Sequence, residues 1–312
     1  MTFRLIRAVC VVLVCSSSFV LAQTVSAKHY PEDKKLAALL APLVKKFHGD
    51  AGIYVRNLKT GRSVAINADT VFPTASMIKV TIMCGLFDKI ERGELAYHQE
   101  LLYRDSLLYP GADILGSFKD SAKIPLSEVA MLMITTSDNT ASLWCQSMAG
   151  TGTAINALLE KNGFEKTRVN SRTPGREVAR SLYGWGQTTP REMAELFVMI
   201  RDGRMISREA SERMYRNLCR IYWDGEALSQ IPPTIHAASK QGAVDRSKSE
   251  TVLVNAPSGD YVFSVITKNQ QDERWEYDNE GYVLLREVSR LLWRYYEPAS
   301  KWTPGANPQK WQ

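Results

Sequence analysis

The sequence predicts an α+β fold: an antiparallel sheet flanked by N- and C-terminal helices, with an all-α lobe inserted between the two halves of the sheet. Three observations predict it. Strand-like apolar runs occur in two separate pairs, at 51–69 and 250–269, each pair joined by a short turn. Helical periodicity fills most of the chain between them. An amphipathic helix stands outside each pair, towards the two ends of the chain.

The first helix covers 32–48 (EDKKLAALLAPLVKKFH), apolar at helical spacing with a lysine-rich opposite face. AGIYVRNL (51–58) and SVAINAD (63–69) read as strands joined through Lys59-Thr60-Gly61-Arg62. The helical middle follows, and within it 171–189 (SRTPGREVARSLYGWGQTT) reads as a long, turn-rich loop of the kind that often carries function. ETVLVNA (250–256) and YVFSVITKN (261–269) form a second hairpin through Pro257-Ser258-Gly259-Asp260. The last helix spans 281–297 (GYVLLREVSRLLWRYYE). Pairing both hairpins in one sheet brings 28–73 and 221–298 together as an α/β lobe, leaves 74–220 as an all-α lobe, and sets 299–312 outside as a tail. The cleft between lobes is the expected place for a site.

Composition removes several function classes. Arg4 and Arg7 precede an apolar run over 8–21, and small residues follow at Ala22 and Ala27. That pattern is a secretory signal peptide over 1–22, cleaved after Ala22 with Ala27 as the alternative. The run is too short and serine-rich for a stable membrane span, so a secreted or periplasmic protein is expected. Hydrophobic residues at 45% against 23% charged describe a globular chain. The formal charge is +6 but the basic residues are interspersed, which argues against a nucleic-acid partner. Cys84, Cys145 and Cys219 are odd in number and far apart, so no disulfide scaffold is read, and Cys84 and Cys145 fit buried free thiols. His29, His48, His98 and His236 lack metal-ligand spacing, so neither a metal nor another cofactor is expected.

Chemistry concentrates in three short segments. Ser76-Met77-Ile78-Lys79 is the one serine with a lysine three residues on, and it opens an apolar helix (VTIMCGLF, 80–87). A serine there has unpaired backbone N–H groups beside it, and a lysine one turn on shares its face. To act as a base near pH 7 that lysine must lose about three units from its reference pKa, which burial and a neighbouring positive charge both favour. Ser137-Asp138-Asn139 follows an apolar helix (PLSEVAMLMITT, 125–136); a second hydroxyl there can relay a proton, and Asn139 can bond Lys79 and a substrate amide. All three residue types also favour helix caps. Lys240-Gln241-Gly242 stands just before the last hairpin, where a lysine and a tight glycine on an edge strand can present positive charge and backbone donors to an anionic substrate.

The order and spacing of these segments, with strands at both ends, resemble the penicillin-recognising serine hydrolases, the class A β-lactamases and related D,D-peptidases. FPTASMIK (72–79), TTSDNTA (135–141) and TTPREM (188–193) each look like the class A pattern, and the resemblance covers about 32–297. It implies that Ser76 is acylated, with Lys79 as its base and Ser137 passing the proton to the departing nitrogen. It further implies that Asn139 binds the substrate amide, that Lys240 supplies positive potential, and that the N–H groups of Ser76 and Ala243 form the oxyanion hole. Gln241 and Gly242 complete the substrate-binding strand. Two departures stand out. Counting back from Thr188 puts Thr173 where the family carries the glutamate that positions the deacylating water, leaving Glu177 as the sole carboxylate of 171–189 and the candidate for that role. Gln241 replaces a Thr or Ser that bonds the substrate carboxylate, with Arg246 and Lys248 as nearby cations. The resemblance implies a secreted serine β-lactamase acting as a monomer on a small β-lactam. The alternatives are a D,D-peptidase-like enzyme for cell-wall peptide that acylates but deacylates slowly, and a non-catalytic binding domain of the same fold.

Overall fold

The structure is a computed structural model that describes residues 24–25, 29–111, 113–306 and 310. The signal segment and both cleavage positions, Ala22 and Ala27, lie outside the described residues. Helix α1 (Lys34–Lys46) starts at Asp33, whose carboxylate accepts the Leu36 N–H at 3.1 Å and the Tyr295 hydroxyl at 2.9 Å, so one cap also ties the two ends of the chain together. Strands β1 (Asp50–Asn57) and β2 (Ser63–Ile66) form the first hairpin.

The inserted lobe holds β3 (Phe72–Pro73), α2 (Ile78–Glu91), β4 (Glu100–Leu102), β5 (Lys123–Pro125), α3 (Leu126–Thr135), α4 (Asn139–Met148) and α5 (Thr151–Lys161). It continues through β6 (Arg168–Val169), α6 (Glu177–Tyr183), β7 (Gly186–Thr188), α7 (Pro190–Arg201) and α8 (Arg208–Leu218). Helix α2 is buried on every side from Ile78 to Phe87 and forms the axis on which α3, α4, α5 and α8 pack. The lobe is not all-α: β4 pairs with β5, and β3, β7 and β6 form a small antiparallel sheet. Strands of two or three residues are too short to register a period-two pattern, so the sequence hides them. For the same reason 171–189 is not a plain loop: it contains the two-turn helix α6 and strand β7.

The chain returns in β8 (Ala237–Val244), β9 (Ser247–Val254), β10 (Tyr261–Lys268) and α9 (Glu280–Tyr296). All five long strands join one antiparallel sheet in the order β2-β1-β10-β9-β8, with Ile53 opposite Val265 where the two hairpins meet. Alternate residues serve two cores. Ile53, Val55, Val252, Val254, Phe263 and Val265 pack beneath α1 and α9, whereas Tyr54, Leu253, Val262 and Ile266 face the helical lobe. Burial on both faces explains why the late strands read as nearly unbroken apolar runs.

One buried carboxylate fastens the small sheet to α7. Glu192 accepts the N–H groups of Glu165, Lys166 and Thr167 at 2.8, 3.0 and 2.6 Å and the Thr167 hydroxyl at 2.6 Å. Replacing Glu192 by Ala strands these donors away from water. We expect a loss of about 3 kcal/mol in unfolding free energy, read from the denaturant midpoint.

Candidate active site

The site forms where the start of α2, the α3–α4 junction and edge strand β8 converge. A 3-10 turn over Ala75–Met77 runs into α2 and leaves Ser76 half-buried at its mouth, with Lys79 one turn on and inaccessible to solvent. Lys79 Nζ lies 3.1 Å from Ser76 Oγ, 3.1 Å from Ser137 Oγ, 2.5 Å from the Ser137 carbonyl and 2.8 Å from Asn139 Oδ1. From the other side Lys240 Nζ reaches Ser137 Oγ at 3.2 Å and Gln241 Oε1 at 2.9 Å. The structure therefore brings Ser76, Lys79, Ser137, Asn139, Lys240 and Gln241 into one continuous network. Gln241 spends its amide oxygen on Lys240.

Two backbone features hold this geometry. Ala75 and Ser137 both adopt left-handed conformations, at φ 43° and 61°, which cost non-glycine residues about 1–3 kcal/mol each and are retained where the surroundings impose them. Asp138 supplies that support. It caps α4 by accepting the Ala141 N–H at 2.7 Å and accepts the Ile114 and Leu115 N–H groups at 2.5 and 2.9 Å. So within Ser137-Asp138-Asn139 the central residue is the helix cap and its neighbours face the site. Gly242 fixes the third element. A Cβ there would fall 2.5 Å from the Thr74 carbonyl oxygen and 2.9 Å from the Ser76 nitrogen, so only glycine lets β8 lie this close to the serine turn.

Burial shapes the electrostatics. Desolvation pulls Lys79 down to about 7, against a smaller opposing pull from Asp138. Lys240 is lowered well below the usual lysine range, first by its complete burial and then by the charge of Lys79, while Glu250 pulls the other way. An amine that is neutral near pH 7 donates two hydrogens and keeps a lone pair. Donation to the Ser137 carbonyl and Asn139 Oδ1 leaves the Lys79 lone pair for the Ser76 proton. Ser137 Oγ, accepting from Lys240, keeps its own hydrogen to give away.

Beside Ser76 opens a cleft of about 590 Å³, walled by Asn139, Leu182, Trp185, Ala243 and Arg246 among others. Glu177 is not among its lining residues. It is exposed at the start of α6 and its carboxylate accepts the Gly175 N–H at 3.1 Å. Thr173 also faces away: a Cβ on Gly152 of α5 would fall 1.8 Å from its hydroxyl, so its side chain is packed against that helix. Of the two nearby cations, Arg246 lines the cleft, whereas Lys248 lies under the Trp275 ring, 3.9 Å from its centroid. Sequence reasoning missed Glu250. It is fully buried, accepts from Ser239 Oγ at 2.6 Å and the Ala227 N–H at 2.7 Å, and is pushed up to about 7 by desolvation. A charged residue in the otherwise apolar run ETVLVNA was the available signal.

A two-lobed α+β fold with a helix-start serine, a buried lysine and a second hydroxyl at the junction defines a β-lactamase-fold serine hydrolase. Comparison with known proteins makes this specific. The "Beta-lactamase enzyme family" matches residues 33–296, and the chain belongs to that family. It is 26% identical over 247 residues to a β-lactamase of Streptomyces fradiae, covering 77% of this chain and 79% of the other. It is 18% identical over 267 residues to β-lactamase VEB-1 of Pseudomonas aeruginosa, covering 81% and 88%. Among solved structures it is similar to PBP-A, at 27% identity and a TM-score of 0.76 over 87% of this chain and 99% of that one, and a variant of PBP-A with the same likeness is an acyl-enzyme complex with penicillin G. A β-lactamase from Sphaerobacter thermophilus shares the fold at a TM-score of 0.74 and 22% identity, over 84% of this chain and 97% of that one.

Two outcomes follow. Acylation of Ser76 should accelerate as pH rises through about 7, because the unprotonated Lys79 is the competent base. A stopped-flow rate that stays flat from pH 5.5 to 8.5 removes Lys79 from that role. Gly242→Ala should slow acylation by about 10-fold or more by pushing β8 off the serine turn, since displacements of about 1 Å cost up to 100-fold. An unaltered rate in a folded variant sinks the close-approach argument.

Proposed function

We propose that this protein is an exported acyl-transfer enzyme that opens the amide of a β-lactam, or of a cell-wall peptide, through an ester on Ser76, and that it releases the acyl group slowly, as a D,D-peptidase-like enzyme does. One observation carries the reading: a complete proton path for acylation stands beside a cleft with no carboxylate among its described lining residues.

The steps follow from the geometry. Neutral Lys79 takes the Ser76 proton as Oγ attacks the carbonyl carbon. The developing oxyanion is met by the N–H groups of Ser76 and Ala243 at the cleft wall. The carbon–nitrogen bond breaks as Ser137 gives its proton to the departing nitrogen, and the Lys79 ammonium, 3.1 Å away, restores it. Lys240 lends positive character beside Ser137, and Asn139 and Gln241 orient the substrate. Hydrolysis of the ester needs a water that is both held and deprotonated, and the described residues lining the cleft include no carboxylate to do this. Among the described residues no helix is long and apolar enough to cross a membrane. Export to the periplasm rests on the N-terminal pattern of basic, apolar and small residues.

A β-lactamase with fast turnover is the second reading, favoured by Glu177 being the one carboxylate of 171–189. It requires Glu177 to leave Gly175 and turn inward.

Penicillin should give a mass adduct with the wild-type protein that persists for minutes or longer, and none with Ser76→Ala. Glu177→Gln should then deacylate at the wild-type rate. A drop of about 10²–10⁴-fold, the worth of a positioned general base, establishes the β-lactamase reading instead.

A further inference from the structure

The direction of β8 sets the direction of a bound substrate. Lys240 stands at Ser137, where the nitrogen departs, and Ala243, whose N–H meets the carbonyl oxygen, follows three residues or about 10 Å along the strand. The strand therefore passes the scissile bond from its nitrogen to its carbonyl, and what comes after Ala243 accompanies the acyl group. The cleft opens on that side: Val244 and Arg246 line it, whereas Ser137, Lys240 and Gln241 do not.

Sheet register brings a second cation to the same end. Ser249 of β9 pairs with Ile266 of β10, so Lys268 stands level with Ser247, which pairs with Val244 at the end of β8. Alternation puts Lys268 on the face of Val262 and Ile266, the face turned to the helical lobe. Lys268 accordingly lines the cleft, and among the described lining residues it and Arg246 are the two that carry a charge. Both charges are positive.

Neither cation is neutralised within the cleft. The half-buried Lys268 donates to the Val71 carbonyl at 3.0 Å and lies 4.9 Å from the Phe72 ring centroid, with no ion pair to a described carboxylate. The carbonyl takes one of its three hydrogens. Arg246 turns Nε to the Gln270 carbonyl and to Glu273, each at 3.4 Å, which leaves its two terminal nitrogens without a described hydrogen-bond partner. The pair with Glu273 is exposed on both sides, at 59% and 58%, so it is weak and easily exchanged. Asp245 and Asp50 are engaged elsewhere, by Trp275 Nε1 at 3.0 Å and by Asn269 Nδ2 at 2.8 Å. Leu182 and Trp185 add apolar surface to the same cleft, which reduces the screening of a charge held there.

We infer that Arg246 and Lys268 form an anion-binding end of the cleft, and that the preferred acyl donor carries a carboxylate on its acyl group. This deepens the acyl-transfer reading given above and rests on it. The hydrocarbon of the acyl chain lies against Leu182 and Trp185, and its carboxylate turns to the two cations.

The test uses two cephalosporins that differ at one point: a glutaryl side chain ending in a carboxylate, and its carboxamide, which has the same shape and no charge. Single-turnover acylation of Ser76 is followed by mass on the full mature protein and on Lys268→Met, Lys268→Arg and Arg246→Gln. The wild type should acylate faster with the acid, and that advantage should shrink as salt rises from about 0.02 to 0.5 M. The acid-to-amide rate ratio should fall about 3- to 10-fold in Lys268→Met and about 2- to 5-fold in the more exposed Arg246→Gln, while Lys268→Arg, which keeps the charge, retains most of it. Arg246→Gln stays informative if Lys268→Met fails to fold. A constant ratio with both rates lowered means that Lys268 only ties β10 to Val71, and overturns the anion site. A wild-type ratio of one or less at low salt overturns it equally. Absence of any Ser76 adduct, with benzylpenicillin as well as with both probes, overturns the acyl-transfer reading and this assignment with it.

Discussion

Two buried lysines meet on one serine hydroxyl, and much of the surrounding architecture answers the cost of putting them there. Lys79 and Lys240 lie 3.1 and 3.2 Å from Ser137 Oγ, and neither is exposed. Burial disfavours the protonated form of Lys79 and brings its pKa down to about 7. The compensation is spread out. Asp138 stands beside Lys79 with its carboxylate occupied by backbone N–H groups, and Glu250 lies behind β8. Both favour the charged lysines without forming an ion pair that would quench the base. The sign of the linkage follows: a lysine whose folded pKa is depressed destabilises the fold at low pH, and stability recovers as pH rises from about 7 towards the unfolded value near 10.4.

The fold earns this placement through contacts remote in sequence. Lys79 comes from the most buried helix, Ser137 from a left-handed junction, and Lys240 from the edge of a sheet built out of both ends of the chain. Register on β8 is fixed along its whole length by pairing with β9, from Ala237 opposite Val254 to Val244 opposite Ser247. A one-residue slip would turn Lys240 to the outer face and bring a side chain against Thr74. Gly242 is thus as much a part of the site as the groups that touch substrate, because it sets the distance between the sheet edge and the serine turn.

That division explains what could be read from the sequence. Periodicity located α1, both hairpins and α9 within a few residues, since each carries one or two faces to a core. The true start of α1 at Lys34 follows from Asp33 acting as cap. The Ser76–Lys79 pair was legible because helix geometry alone puts those residues on one face. Asp138 was legible only as a polar residue in a motif, since its three N–H partners come partly from Ile114 and Leu115, distant in the chain. Counting back from Thr188 put Thr173 at the position where the family carries its glutamate, but a count says nothing of where that side chain packs, and here it lies against Gly152 of α5.

The same helix decides where Glu177 stands. Arg176 is held by Asn170 Oδ1 at 2.9 Å and Gln187 Oε1 at 2.7 Å, which pins the chain just before α6 begins. Glu177 then occupies the first turn, with Arg180 in the last, the arrangement that complements a helix dipole. Its carboxylate also satisfies the Gly175 N–H. Each contribution is modest, about 0.3–1 kcal/mol for an exposed charge at a helix end, but all must be given up together if Glu177 is to turn inward. The end of α6 and the turn after it give the cleft Leu182, Tyr183 and Trp185, while Glu177 at the start of the helix is not part of that wall. The lysine–serine network around Ser76 and the segment 171–189 are separate parts of this chain, and on the reading proposed above the first serves formation of the ester and the second its loss.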